Sequence, residues 1–277
     1  MTLMTQFSWR ANSEYSFSVY IDPEAKNILS KMMRNTLKVE VNYTVGAGCK
    51  PYEVGKGSPP QSQLMVDNKV YTSNKKKDKT YKLLIRGADL ERYYFREIRE
   101  EWLSYGQWLA APRNPELFVG KRLLFQSIRN PKLTRRIIGT LIEGDYINNN
   151  SITNIISKNS KYSLEYLLGI LNSELINWYF SVSFNIVNID PRYLKLTPIP
   201  IIDDFSSSQK SRHDCIATKV EQMLALHRRK TDNLGEKELE ILRRQIAATD
   251  REIDQLVYEL YGLTEEDIKI VEDGVAK

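Results

Sequence analysis

The spacing of apolar residues divides the chain into segments of different kinds. At the start, Asp22-Pro23-Glu24 is a helix opening, with proline at the first helical position and acids in the first turn. Ile28, Leu29, Met32 and Met33 then fall on one helical face, and residues 39–45 alternate as a strand does. Residues 46–80 have no period and are rich in Gly, Pro, Lys and Ser, ending in Lys75-Lys76-Lys77. They are too long for a plain connection and predict a functional loop or a mobile segment. Four short strands are predicted next, over 83–85, 122–128, 136–142 and 151–157, with turns at Asn130-Pro131 and Glu143-Gly144-Asp145. A polar-aromatic stretch, 91–113, separates the first two.

A single helix is predicted over 163–184, capped by Ser163, with Leu167, Leu168, Leu171, Leu175, Ile176, Tyr179 and Phe180 on a wide apolar face. Asp190-Pro191 and Pro198-Ile199-Pro200 break the chain again. Over 209–261 the period changes. Leu239, Ile246, Ile253 and Leu260 recur every seven residues, with Leu242, Thr249 and Leu256 three positions after the first three, which is a coiled-coil seam with one polar position. An earlier helix carries Ile216, Val220, Met223 and Leu226, and Asn233-Leu234-Gly235 turns the chain, so the two helices form an antiparallel hairpin. Periodicity leaves open whether the hairpin spaces domains, holds a partner helix or packs on its own globular body. The expected organisation is an α/β (α+β) domain of mixed short strands over residues 1–205, followed by a long helical hairpin over 206–277.

With 277 residues, 42% hydrophobic and 27% charged, the composition is that of a folded globular chain. No apolar run is long enough to span a bilayer and the first ten residues lack a signal-peptide pattern, so a cytoplasmic protein without a membrane partner is expected. Two cysteines, Cys49 and Cys215, and two histidines, His213 and His227, make a disulfide framework or a zinc site unexpected. The net charge of +5 is unevenly spread: residues 75–136 hold 16 basic and 7 acidic groups, whereas 232–277 hold 6 and 13. A cationic middle beside a nearly neutral flank suits a polyanion, although a solvated Lys/Arg-rich face has the same composition.

Several catalytic patterns fail on inspection. Gly46-Ala47-Gly48 begins like a dinucleotide fingerprint, but Pro51 stands at the third glycine position. Ser58-Pro59-Pro60-Gln61 resembles the motif of amino-group DNA methyltransferases without the aromatic ring that would stack on an extruded base. No phosphate loop, Ser/His/Asp triad or carboxylate-lysine nuclease signature stands out. The isolated chain is therefore not expected to be an enzyme.

What is present is a basic segment interleaved with aromatics and amides. Lysines and arginines neutralise phosphates without reading sequence, whereas Arg, Asn and Gln on strand ends or tight loops can reach base edges. The candidates for base reading are Gln126, Arg129, Asn130 and Lys132, at a strand end and its turn, followed by Arg113 and Asn114. The candidates for phosphate contact are Lys75, Lys76, Lys77, Lys79, Arg86, Arg92, Lys121, Arg122, Arg135 and Arg136.

These residues also carry a family likeness. The run Leu84-Ile85-Arg86-Gly87-Ala88-Asp89-Leu90-Glu91-Arg92-Tyr93 resembles the Arg-Gly-x-Asp-Ile-x-Arg-Tyr segment of the TaqI-like C-terminal specificity domain. The stretch from Gly48 to Gly57, the run from Leu167 to Leu175, Pro198-Ile199-Pro200 and the tail from Ile253 to Glu266 are similar to type IIG restriction–modification enzymes. The likeness runs from Val41 to Val271. It implies a target recognition domain that binds double-stranded DNA for an adenine-N6 DNA methyltransferase, sometimes joined to a nuclease. The catalytic half has no counterpart here, so S-adenosylmethionine and Mg are expected only in a catalytic partner or a missing domain. Two other readings remain open: a protein–protein interaction module built on the hairpin, and a protein like a type I restriction specificity subunit, although no internal repeat is visible.

Overall fold

The first apolar stripe folds largely as expected. In a computed structural model, which describes residues 23–96, 100–130, 133–158, 162–184, 188–203, 206–230 and 234–275, helix α1 (Pro23–Met32) buries Ala25, Ile28 and Met32. Met33 lies past the last helical residue and is exposed. Strand β1 (Thr36–Lys38) follows. Residues 39–42, expected to begin a strand, instead form one helical turn, α2 (Val39–Asn42), which buries Val39 and Asn42 three positions apart and exposes Val41. Those positions satisfy a helical turn as readily as an alternating strand, and strand pairing begins only at β2 (Tyr43–Ala47).

The Gly/Pro-rich segment is an ordered loop organised by Gln61. The Gln61 side chain is buried: its Oε1 accepts from the Glu53 N–H (3.1 Å) and its Nε2 donates to the carbonyls of Pro51 and Trp108 (both 2.8 Å). The residue that disqualified a base-stacking motif is thus the one that closes the loop. The short helix α3 (Gln63–Asp67) buries none of its residues.

The strands that follow are β3 (Thr72–Ser73), β4 (Tyr81–Ile85), β5 (Leu90–Glu91), β6 (Tyr94–Phe95), β7 (Trp102–Ser104), β8 (Arg122–Gln126), β9 (Gly139–Ile142), β10 (Tyr146–Asn148) and β11 (Ile152–Ser157), and with β2 most of them form two four-stranded sheets. One sheet has the order β10-β4-β7-β3, with β10 parallel to β4 and the remaining pairs antiparallel. The other is the antiparallel sheet β2-β11-β8-β9. Strands β5 and β6 form a small separate ladder. The second sheet is covered on both faces, which explains why β8 reads as an unbroken apolar run rather than an alternating one. Leu123 and Phe125 face the helices, while Leu124 meets Ile85, Leu90, Ile142 and Ile152.

The helix predicted over 163–184 is two helices, α4 (Leu164–Asn172) and α5 (Glu174–Ser183). Ser163 caps α4 as expected, accepting from the Tyr166 N–H (3.1 Å). The break falls at Ser173, whose backbone is extended and whose hydroxyl accepts from the Ile176 N–H (3.2 Å), so it caps the second helix. Beside it, the Asn172 amide pairs with both backbone groups of Gly139 (2.8 and 2.9 Å). Helix α6 (Pro191–Leu196) and strand β12 (Pro198–Pro200), paired with β1, complete this part.

The hairpin is α7 (Ser207–Arg229) and α8 (Glu236–Tyr261), followed by α9 (Glu265–Val275). It packs on its own body. Gly169 permits the approach: a Cβ there would lie 2.8 Å from Ile216 and 2.9 Å from Val220. A single hydrophobic cluster includes Phe125, Leu168, Ile216, Ile253, Tyr258 and Val271, so the core crosses the boundary expected at residue 205.

Candidate nucleic-acid interface

The cations of residues 75–136 separate into groups with different surroundings. Arg122 is fully buried, and its guanidinium donates to the carbonyls of Gly120 (3.0 Å), Gly144 (2.9 Å) and Tyr146 (2.8 Å). Burial pushes its pKa down to about 10. The expectation that Arg122 meets phosphate is corrected: its hydrogen-bonding edge closes the turn between β9 and β10. Arg136 is also buried, and desolvation lowers its pKa.

Arg92 and Arg135 meet the hairpin instead of facing solvent. Arg92 donates to Asp250 (2.6 Å) and to the Asn172 carbonyl (2.9 and 3.1 Å), with its guanidinium 4.7 Å from the Tyr93 ring centroid. Arg135 donates to Glu174 (3.2 Å) and Asp250 (3.4 Å). The Asp254 carboxylate accepts from the Glu174 N–H at the start of α5 (2.8 Å). Burial raises its pKa to about 7, against the opposing pull of Arg92. Asp250 and Asp254 belong to the acidic tail of residues 232–277, and they lie in the junction between sheet and hairpin. Lys121 pairs with Glu165.

A second assembly surrounds Gly87 and explains the Arg-Gly-x-Asp run. The Asp89 carboxylate accepts from the Arg86 N–H (2.8 Å), and the Asp89 N–H donates to the Arg86 carbonyl (2.9 Å), which folds residues 87–89 into a single tight turn. Arg86 forks onto Glu101 at 2.6 and 2.5 Å. The Gly87 N–H donates to the Ser151 hydroxyl (2.9 Å), and the Gly87 carbonyl accepts from Gln126 Nε2 (3.0 Å). A Cβ on residue 87 would lie 3.0 Å from the Ser151 hydroxyl, so the close approach favours glycine.

Gln126 is therefore bonded at both ends of its amide. Its Oε1 accepts from Arg129 Nη1 (3.0 Å), while Arg129 Nε donates to the Arg135 carbonyl (2.5 Å). These two bonds use one N–H and one oxygen lone pair of the amide, so Gln126, half-buried, orients Arg129 and keeps a second donor and acceptor for the base contact expected of it. Arg129 is half-buried and Asn130 is exposed. Lys132 lies outside the described residues.

Lys75, Lys76, Lys77 and Lys79 all lie in the exposed β3–β4 connection. Lys76 Nζ sits 5.7 Å from the Trp102 ring centroid and Lys77 Nζ 5.8 Å from that of Tyr81. Arg113 is exposed with a left-handed backbone (φ 69°), and Asn114 caps the short 3-10 turn Pro115–Phe118 by accepting from the Glu116 N–H (3.1 Å). Trp102 follows Glu101 in the chain, so contacts run without interruption from the lysine loop through Trp102, Glu101 and Arg86 to Gly87, Gln126 and Arg129. Among the described residues, none of the four lysines, Arg113 or Arg129 pairs with a carboxylate. The structure thus brings together the lysine loop, Arg86, Gln126 and Arg129, turns the guanidinium groups of Arg92 and Arg135 toward the hairpin, and buries Arg122 and Arg136.

Sequence reasoning missed Asn172, Glu174, Ser151, Asp250 and Asp254. The visible signal for Asn172 was an amide, one of two with Asn177, inside a largely apolar helical run. Among the described residues, no group of three or more His, Cys, Asp or Glu side chains could hold a metal ion, and no helix is long and apolar enough to cross a membrane.

Residues 82–201 match the family model described as the TaqI-like C-terminal specificity domain. This segment, less than half of the chain, resembles that family. It contains the Gly87 assembly, Arg129 and the Asn172–Ser173 break. A curated relative, the type II restriction enzyme and methyltransferase RM.Eco57I of Escherichia coli, is 31% identical over 130 residues, covering 44% of this chain and 13% of that protein. Among solved structures, the type IIL restriction-modification enzyme MmeI, in complex with DNA, superposes over 87% of this chain and 36% of its own, with a TM-score of 0.54 and 11% identity, which is a likeness of fold. The HsdS subunit from Thermoanaerobacter tengcongensis is a more distant match: TM-score 0.40, 14% identity, 83% of this chain and 51% of that one. The chain thus spans a small part of the curated relative it matches.

Proposed function

We propose that this chain is the target-recognition part of a restriction–modification system acting on adenine-N6 in double-stranded DNA. The specificity-domain match over residues 82–201 carries this reading, because it coincides with the segment that holds Arg129 between Gln126 and the Arg135 carbonyl. In this reading Lys75, Lys76, Lys77 and Lys79 hold the duplex by its phosphates, and their flexible ammonium groups supply affinity without sequence preference. Arg129, with its Nε and Nη1 already oriented, reads a base edge together with Asn130, while Arg113 and Asn114 form a second reading loop. Binding fixes the register, so that a methyltransferase domain meets one adenine, which is flipped out of the stack for modification. Catalysis belongs to that other polypeptide segment, with any nuclease, and S-adenosylmethionine and Mg are assigned to it rather than to this chain.

The test is selection from a pool of duplexes randomised over a central segment, followed by sequencing of the retained fraction. The purified chain is expected to enrich one sequence over scrambled controls. Retention of the pool without enrichment would leave only non-specific polyanion binding and reject the reading. An interaction module built on the hairpin has less support, since Leu242, Thr249 and Ile253 of the α8 seam are buried within the chain itself.

A further inference from the structure

The base-reading loop and the helical hairpin are mechanically connected through one residue. Arg129 Nε donates to the backbone carbonyl of Arg135 at 2.5 Å. The side chain of that same Arg135 donates to Asp250 Oδ2 on α8 (3.4 Å), to Glu174 on α5 (3.2 Å) and to the Asn172 carbonyl at the end of α4 (3.5 Å). Asp250 also receives Arg92, the arginine of the Arg-Gly-x-Asp-x-x-Arg run, at 2.6 Å. A single carboxylate on the hairpin therefore anchors two arginines of the recognition domain, and the backbone of one of them orients the side chain proposed to read a base. Desolvation, together with the nearby charge of Arg135, lowers the pKa of Arg129. Asp250 and Glu174 supply the countercharge that lets Arg135 remain beside it.

We infer that Asp250 is a positioning residue for base recognition: through Arg135 it sets the pose of Arg129, so that docking of the hairpin determines which base the recognition loop prefers. The inference rests on the DNA-recognition reading above. It assigns the hairpin a part in specificity in addition to its packing, and a loosely docked hairpin would leave a domain that holds DNA while reading it poorly. A guanidinium that reads a base in fork geometry tolerates little rotation, whereas a phosphate contact tolerates much.

The experiment uses the full chain, with a random-sequence duplex pool as probe, and compares wild type with Asp250→Asn, Arg129→Met and the double variant. Arg129→Met is expected to erase the preference at one or two base positions. Asp250→Asn should weaken the preference at those same positions by about tenfold, with total retention of the pool nearly unchanged. The double variant should match Arg129→Met alone. Uniform weakening at every position, or an unaltered motif in Asp250→Asn, overturns the inference while leaving DNA recognition intact. If the wild-type chain enriches no sequence, the recognition reading fails first and the inference falls with it. Should Asp250→Asn lose its helical circular dichroism, Arg135→Lys, which keeps the charge and loses the fork, carries the same prediction and the same refutation.

Discussion

Asp254 gives a quantitative test of how the hairpin is seated. Its carboxyl lies in the sheet–hairpin junction, with Oδ1 accepting from the Glu174 N–H at 2.8 Å. Burial raises its pKa from 3.8 to about 7, with Arg92 pulling the other way and Asp250 adding to the rise. A folded-state acid with a raised pKa binds its proton more tightly than the unfolded chain does. Stability is therefore full below about pH 4 and declines as pH rises through about 7, because folding then requires either a proton or a buried charge. A displacement of about three units at about 1.4 kcal/mol each corresponds to a loss of about 4 kcal/mol, with about 3 kcal/mol of it between about pH 5 and about pH 8. Asp254→Asn keeps the acceptor for Glu174 and cannot ionise. Urea unfolding of both proteins across that range should show a gap, in favour of the variant, that widens by about 3 kcal/mol from the acid to the alkaline end. A gap that does not change with pH would refute the argument, since the carboxylate would then be neutralised by Arg92 as fast as it is desolvated.

Three further outcomes follow from named contacts. Replacing Lys75, Lys76 and Lys77 together with alanine should weaken binding to matched and scrambled duplexes alike and reduce the slope of log affinity against log salt by about two to three, as read by fluorescence anisotropy. Arg122→Met should lower stability by about 3–5 kcal/mol in chemical denaturation, because the carbonyls of Gly120, Gly144 and Tyr146 lose their donor in a buried site; a loss below about 1 kcal/mol would mean that water replaces it. Gln61→Leu removes the partners of Glu53, Pro51 and Trp108, so the 51–61 loop should become the first site of limited proteolysis, with a stability loss of about 2–4 kcal/mol.

The periodic parts of the chain were legible because local spacing decides them. The seven-residue repeat from Leu239 to Leu260 lies within the helix Glu236–Tyr261, and the Ser163 cap starts the helix at Leu164. The family likeness was legible in the run from Arg86 to Tyr93, although the structural work of that run was not. Asp89 closes a turn onto Arg86, and Arg92 reaches a carboxylate 158 residues away. Local errors arose where one pattern serves two geometries. The alternation of Val39 and Val41 also fits one helical turn, and the apolar face over 163–184 continues across a break that Ser173 and Asn172 create together.

Charge is where sequence and tertiary structure part most clearly. The chain by itself determined how many arginines the middle third holds and that they sit among aromatics and amides. Only the fold decided which of them remain available. Arg122 is sealed behind three carbonyls, and Arg92 and Arg135 are held by Asp250 from a distant helix, while Lys75 to Lys77 stay exposed on a loop. The physical reason is that a guanidinium's partner is chosen by proximity in three dimensions and by the cost of leaving a buried charge unpaired. Neither quantity is written in the spacing of residues along the chain.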